Sequence, residues 1–232
     1  MPNQKRNDIP GIALHITQRG NNRQLMFREN EDYQRFAGML IKYSEKYQVI
    51  VHAWMLMPNH IHLLVTPQEK NMVGRMMMCA TGAYTKFYNQ KYKRTGTLYE
   101  KRYYSALVDY DEYVINVYRY IELNPVKARL VQHPGYWHWS SYRHNAEGLE
   151  SSMLVPHLSF MKLGLTIEDC RNAYQKLVND TDVTSDDYEF LRHEIRTAQK
   201  KNFAFGGEDF KKEMGAKLGL DCEGAEVEAT EV

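Results

Sequence analysis

The chain has 232 residues, 43% hydrophobic and 25% charged, an ordinary profile for a globular protein with one good core or a core plus an appendage. Its formal net charge of +1 hides a division: residues 1–150 carry 20 Lys and Arg against 13 Asp and Glu, while the remainder carries 10 against 16. No apolar run approaches the roughly 20 residues that span a bilayer, the first ten residues lack a signal-peptide core, and Cys79, Cys170 and Cys222 are isolated; membrane insertion, a disulfide scaffold and a cysteine metal site are excluded, and a reducing cytoplasm is expected.

In chain order, "GIALHITQRG" alternates through Ile12, Leu14 and Ile16 and predicts a strand ending at Gly20. A loop carrying Arg19 and Arg23 at its edge follows. Residues 30–47 place Tyr33, Phe36, Met39 or Leu40 and Tyr43 on one helical face, with Asn30 as the expected N-cap. "VIVHAWMLM" and "HIHLLVTP" are two strands joined by the turn signal Pro58-Asn59. Residues 70–92 predict a helix that buries Tyr84, Phe87, Tyr88 and Tyr92, with Cys79 as a small buried hydrophobe. A strand near Tyr103 to Val108 follows. Asp109 to Glu112 then resembles a capping box, opening a helix to about Leu123 that Pro125 closes.

This order predicts an α+β fold, a mostly antiparallel sheet with helices packed on it, over residues 1–150. Residues 151–220 read as a helical extension, with Thr166-Ile-Glu-Asp169 as a helix start and another helix over "DDYEFLRHEIRTAQKK". Residues 221–232 are acidic and poor in large apolar groups, the composition of a disordered tail.

The run "PNHIHLLV" raises the chemical question. His60 and His62 are two apart on a strand, so both imidazoles leave the same face, about 7 Å apart along it. Such a pair can converge on a divalent cation with a third ligand from a neighbouring element; the plainer alternative is one packed ring and one ring capping the turn. On the later helix, "YRYIELNPV" sets Tyr120 and Asn124 four residues apart, a phenol and a hard carboxamide oxygen on one face. Two imidazoles plus that oxygen suit Mg²⁺ or Mn²⁺ better than a closed zinc site. Tyr120 also continues a core stripe with Tyr113 and Val117, and Asn124 also serves to end a helix before proline.

Together "LHITQRGNNRQLMF", "HAWMLMPNHIHLLVTP" and "YRYIELNPVKARLV", with "GTLYEKRYYSALVD" and "WHWSSYR", resemble the single-tyrosine HUH transposases, and most closely the REP-associated tyrosine transposases of bacteria, over about residues 8–145. The resemblance implies an HUH, ferredoxin-like sandwich, with His60 and His62 as metal ligands, Tyr120 as nucleophile and Asn124 as third ligand. Better-known relatives carry glutamine at that last position, so the shorter asparagine reaches less far; Glu122, two residues from Tyr120, should point away from its face. The resemblance also implies a cytoplasmic, nucleoid-associated prokaryotic enzyme, monomeric or homodimeric, acting on single-stranded or hairpin DNA.

Such an enzyme breaks a strand by covalent catalysis: Tyr120 attacks a phosphodiester, leaving a 5′-phosphotyrosine and a free 3′-hydroxyl, and a second end reverses the step. A phenol is largely un-ionised at neutral pH, so the electrostatic work falls to the cation. Arg19, Arg23, Lys93, Arg94, Lys101 and Arg102 are expected to hold DNA phosphates, with Tyr99, Tyr103 or Tyr104 stacking on bases. Arg192, Arg196, Lys200 and Lys201 fall roughly along one side of a later helix, a milder signal of the same kind, while His15 and His52 read as structural. The alternatives are a binding protein of the same fold without catalysis, a replication initiator, which calls for a second tyrosine or a third histidine, and a metallohydrolase, which needs an acid that "PNHIHLL" does not supply.

Overall fold

A computed structural model of the protein describes residues 7–225; the part of the acidic tail from residue 226 lies outside them. In chain order the elements are β1 (Ala13–Arg19), α1 (Asn30–Lys46), β2 (Val49–Met57), β3 (His60–Pro67), α2 (Met72–Lys91), β4 (Tyr104–Val108), α3 (Glu112–Glu122), α4 (Asn124–Lys127), α5 (Tyr142–Glu147), α6 (Leu158–Met161), α7 (Ile167–Asn179), α8 (Asp186–Lys201), β5 (Ala204–Phe205) and α9 (Glu208–Leu218). The fold is α+β. The sheet runs β2-β3-β1-β4-β5, antiparallel except for the parallel β4–β5 pair at its edge. None of these helices is long and apolar enough to cross a membrane.

The alternation within β1 and β3 assigns their side chains to two faces. Leu14, Ile16, Ile61, Leu63 and Val65 pack with Phe36 and Leu40 of α1 and Met76, Ala80 and Tyr84 of α2. The opposite face meets α3 through Ala13, Leu64, Ala106, Val117 and Ile121, and a second core continues there into α5, α7 and α8. His15, Thr17, His60 and His62 share the parity of this second face. Register places them together: His62 pairs with Thr17, and His60 with Arg19. Pro58 and Asn59 make the tight connection between β2 and β3. His52 occupies a bulge in β2 and commits both ring nitrogens, to the Val155 carbonyl at 2.7 Å and Thr66 Oγ1 at 2.9 Å.

Several local details differ from the sequence expectations. The N-cap of α1 is Glu29 rather than Asn30, in a capping box with Asp32. The carboxylate of Asp32, wholly buried, accepts from the Arg28 amide at 2.8 Å, Tyr92 Oη at 2.7 Å and Lys91 Nζ at 2.9 Å, which locks α1 to α2. The capping box expected at residues 109–112 does not form. Asp111 precedes α3 with φ of 54° and pairs with Lys162, while Asp109 accepts from the Gly207 amide. α3 ends at Glu122 with Leu123 as its C-cap, as expected, but a further short helix, α4, follows directly, because proline in a first turn loses no hydrogen bond. Cys79 is only half-buried, its sulfur 3.1 Å from Tyr47 Oη. The capping box at Thr166 and Asp169 does form.

β5, like the short helices α4, α5 and α6, is an element that sequence periodicity did not show. Two residues are too short to display a period, yet Leu107 N donates to the Phe203 carbonyl at 2.7 Å and Asp109 N to the Phe205 carbonyl at 2.9 Å. β5 thereby brings the chain after residue 150 onto the sheet edge, and α8, just before it, packs on β4 and β1.

Candidate active site

At the ends of β1 and β3 a cavity of about 590 Å³ opens onto the second face of the sheet. His60, His62 and Tyr120 line it. The two imidazoles meet edge to face with ring centroids 5.1 Å apart, and Tyr120 from α3 approaches His62 edge-on at 5.5 Å. His15 completes the cluster, stacked on His62 at 5.3 Å and edge-on to Tyr120 at 5.4 Å.

Hydrogen bonding decides which nitrogens remain for a ligand. Asn59 Oδ1 lies 2.7 Å from His60 Nδ1 and can only accept, so His60 carries its proton there and keeps the Nε2 lone pair. His62 Nδ1 faces Thr17 Oγ1 at 3.0 Å and His15 Nε2 at 3.1 Å, groups that can each donate or accept, and its Nε2 makes no hydrogen bond to the described residues. Thr17 is held in turn by Gln199 of α8, whose Nε2 and Oε1 stand 2.8 and 3.0 Å from its hydroxyl. An outer hydrogen bond of this kind fixes ring and tautomer in a metal-binding histidine.

Electrostatics keep the imidazoles neutral. Burial, helped by Arg19 and Arg196, lowers His60 to about 4; burial, then the neighbouring His60 and His15, lowers His62 well below its ordinary value; burial alone lowers His15 to about 3. Neutral rings with Nε2 free are what a divalent cation requires. Among the described residues, no third His, Cys, Asp or Glu joins them in a cluster able to hold a metal. The pair by itself offers a divalent cation two imidazole donors.

Asn124 is placed differently. It follows Tyr120 by one turn, but its Nδ2 donates to the carbonyls of Tyr120 at 2.7 Å and Ile121 at 3.3 Å, closing the end of α3, and it does not line the cavity. Glu122 points away from the Tyr120 face, as its spacing requires. It is fully buried and accepts from Ser141 Oγ, Asn145 Nδ2 at 2.8 Å and Tyr174 Oη at 2.7 Å.

Of the six cations expected to meet DNA, Arg19 and Arg23 line the cavity, whereas Lys93, Arg94, Lys101 and Arg102 do not. Arg94 lies over the Tyr88 ring at 5.4 Å, with one guanidinium nitrogen buried. Tyr104, on the same sheet face, lines the cavity, whereas Tyr99 and Tyr103 are buried in the other core and present no ring for stacking. The remaining lining comes from Thr17, Asn59 and Glu100 and from Arg196, Gln199 and Lys200 of α8. Sequence reasoning did not place Thr17 or Gln199 in the site. Thr17 was detectable by its strand parity, opposite His62. Gln199 carried no signal of its own.

Residues 9–124, half of the chain, match the family model described as transposase IS200 like. No curated protein matches the chain. Among solved structures, it is similar to a REP-associated tyrosine transposase bound to a REP hairpin, with 20% identity and a TM-score of 0.55 over 68% of this chain and 93% of that one. It is also similar to a putative transposase from Deinococcus radiodurans R1, with 14% identity and a TM-score of 0.37 over 59% of this chain and 98% of that one.

Proposed function

The chain belongs to the family of IS200-like transposases, and we propose that it nicks and rejoins single-stranded DNA through Tyr120, with a divalent cation held by His60 and His62. The observation that carries this reading is Tyr120 set 5.5 Å from His62 beside two neutral imidazoles with uncommitted Nε2 atoms, in a cavity lined by four cationic side chains. Tyr120 Oη attacks the scissile phosphorus; the Oη–P bond forms, the P–O3′ bond breaks, and the 3′ oxygen leaves with a proton as a hydroxyl. The 5′-phosphotyrosine keeps the energy of the broken linkage, so a second 3′-hydroxyl attacks it and frees Tyr120. When bound, Mg²⁺ or Mn²⁺ supplies charge stabilisation at the phosphate oxygens.

The chain's own groups do the positioning. Asn59 and Thr17 orient the two imidazoles, and His15 packs against both His62 and Tyr120, fixing the approach of the phenol. For Asn124 to add its carboxamide oxygen as a third ligand, its side chain must turn out of the end of α3. Residues 1–150 form the catalytic unit and 151–220 an extension that reaches the same cavity through α8. A hairpin with a single-stranded flank is the proposed target, in keeping with the hairpin bound by the solved relative.

The test is covalent capture. Wild type and Tyr120→Phe are mixed with end-labelled hairpin DNA from the flanks of the gene, in Mn²⁺ or in EDTA. The reading expects a Mn²⁺-dependent adduct that carries the label 3′ of the nick and is absent from the Phe variant. Tight binding of cognate DNA with no adduct would instead assign the protein as a non-catalytic DNA-binding member of the family.

A further inference from the structure

We propose that α8 is a phosphate clamp for the single strand in the cavity, with Arg196 and Lys200 as its two contacts and Gln199 as its anchor. The inference rests on the reading of the cavity as a DNA site, but the residues it names lie beyond the 9–124 span of the family match.

Three observations carry it. First, α8 is fixed against the site. Ile195, Ala198 and Gln199 are buried, and Gln199 bonds Thr17, the residue that holds His62, so the helix cannot shift without disturbing that histidine. Second, Arg196 and Lys200 are exposed, one helical turn apart, and both line the cavity. Third, the cations of α8 divide by direction. Arg192 pairs with Glu189 at 2.7 Å and Lys201 with Glu223 at 3.6 Å, both outside the cavity, whereas Arg196 and Lys200 make no ion pair among the described residues. Neither do Arg19 and Arg23, so four unneutralised cations face one carboxylate, Glu100, in a small volume. That arrangement repels itself when empty and is relieved by a polyanion. Arg196 supplies a planar fork suited to two oxygens of one phosphate, and Lys200 a mobile point charge for the next.

The experiment measures binding of full-length protein to a fluorescently labelled, mixed-sequence single-stranded oligonucleotide across a salt series, in EDTA so that the metal plays no part. Losing one phosphate contact on a single strand lowers the slope of log K against log salt by about 0.7. Arg196→Ala and Lys200→Ala should each flatten the slope by about that amount and the double variant by about twice it. Arg196→Lys should keep the wild-type slope, as should Arg192→Ala and Lys201→Ala. Slopes unchanged in the double variant, with the Tyr120 adduct still formed by the wild type, would overturn the clamp and leave the proposed chemistry standing. Equal flattening by Arg192→Ala would overturn it too, by showing a general field rather than two contacts. Wild type that neither binds the strand nor forms an adduct would remove both proposals together.

Discussion

Glu122 sets two opposing effects against each other in one side chain, and replacing it with glutamine measures which one wins. The carboxyl is wholly buried between α3, α5 and α7, and burial raises its pKa. Ser141, Tyr174 and Asn145 all donate to it, which favours the charged form. Burial prevails, and the group is pushed up from 4.5 to about 7. The unfolded chain therefore releases this proton near pH 4.5 and the folded chain only near neutrality. Between these values the folded state holds the extra proton, so stability must fall as pH rises, with the loss complete above about pH 7. The difference of about 2.5 pH units corresponds to roughly 3 kcal/mol, an upper value because it assigns the whole shift to the folded state. Glutamine keeps the shape and the acceptor for Ser141 and Asn145 but does not titrate; its amide must donate to Tyr174, a constant offset that cancels across pH. Urea denaturation of wild type and Glu122→Gln at pH 4 to 8 gives the comparison. The stability of wild type relative to the variant should decline by about 3 kcal/mol across that range. A flat difference would mean that the three donors cancel the desolvation; a rising one would mean that they exceed it and that Glu122 is a permanent anion.

Two further outcomes follow from the same contacts. Gln199→Leu removes the support of Thr17 and so loosens His62; Mn²⁺ affinity, followed by paramagnetic resonance of the free ion, should fall roughly 10- to 100-fold, and unchanged affinity would break the proposed link from α8 to the metal. Asp32→Asn should cost about 2 kcal/mol by denaturation, less than the roughly 3–5 of an isolated buried pair, because Lys91 keeps Glu29 and Glu31. Burial pulls the Asp32 pKa up, but the bonds from Arg28, Tyr92 and Lys91 outweigh it and hold it below 3.8, so the wild-type advantage should be full at neutral pH and shrink as acid protonates the folded carboxylate. An advantage that persists through that acid range would assign the effect to packing.

The parts of this site that were legible in the sequence are those a single element specifies. A period of two put His60 and His62 on one strand face, and 3.6 residues per turn set Tyr120 and Glu122 on different faces of α3; both placements follow from local geometry. The stripe of Tyr84 and Tyr88 likewise went into the core, where both phenols find backbone carbonyls. Asn124 marks where that logic weakens. Its position on the helix was right to within a turn, but a carboxamide at a helix end has carbonyls within reach, and it takes them.

What no local pattern carries is the choice of partner across long separations. Gln199 and Thr17 are 182 residues apart, and nothing in "RTAQKK" distinguishes a glutamine that will support a histidine from one that will face water. The same holds for the four cations of α8. In sequence they form one stripe; in the fold two are neutralised by Glu189 and Glu223, and two are left facing the histidine pair. Composition had assigned the acidic balance to the chain after residue 150 and the DNA contacts to the basic part before it. Arg19 and Arg23 of that basic part do line the cavity, and α8 adds Arg196 and Lys200 to them: an acidic segment can deliver positive charge to a site when its acids are spent on cations elsewhere on the same helix. Net charge describes the far field of a segment, whereas binding in a cavity depends on which charges remain unpaired at its wall.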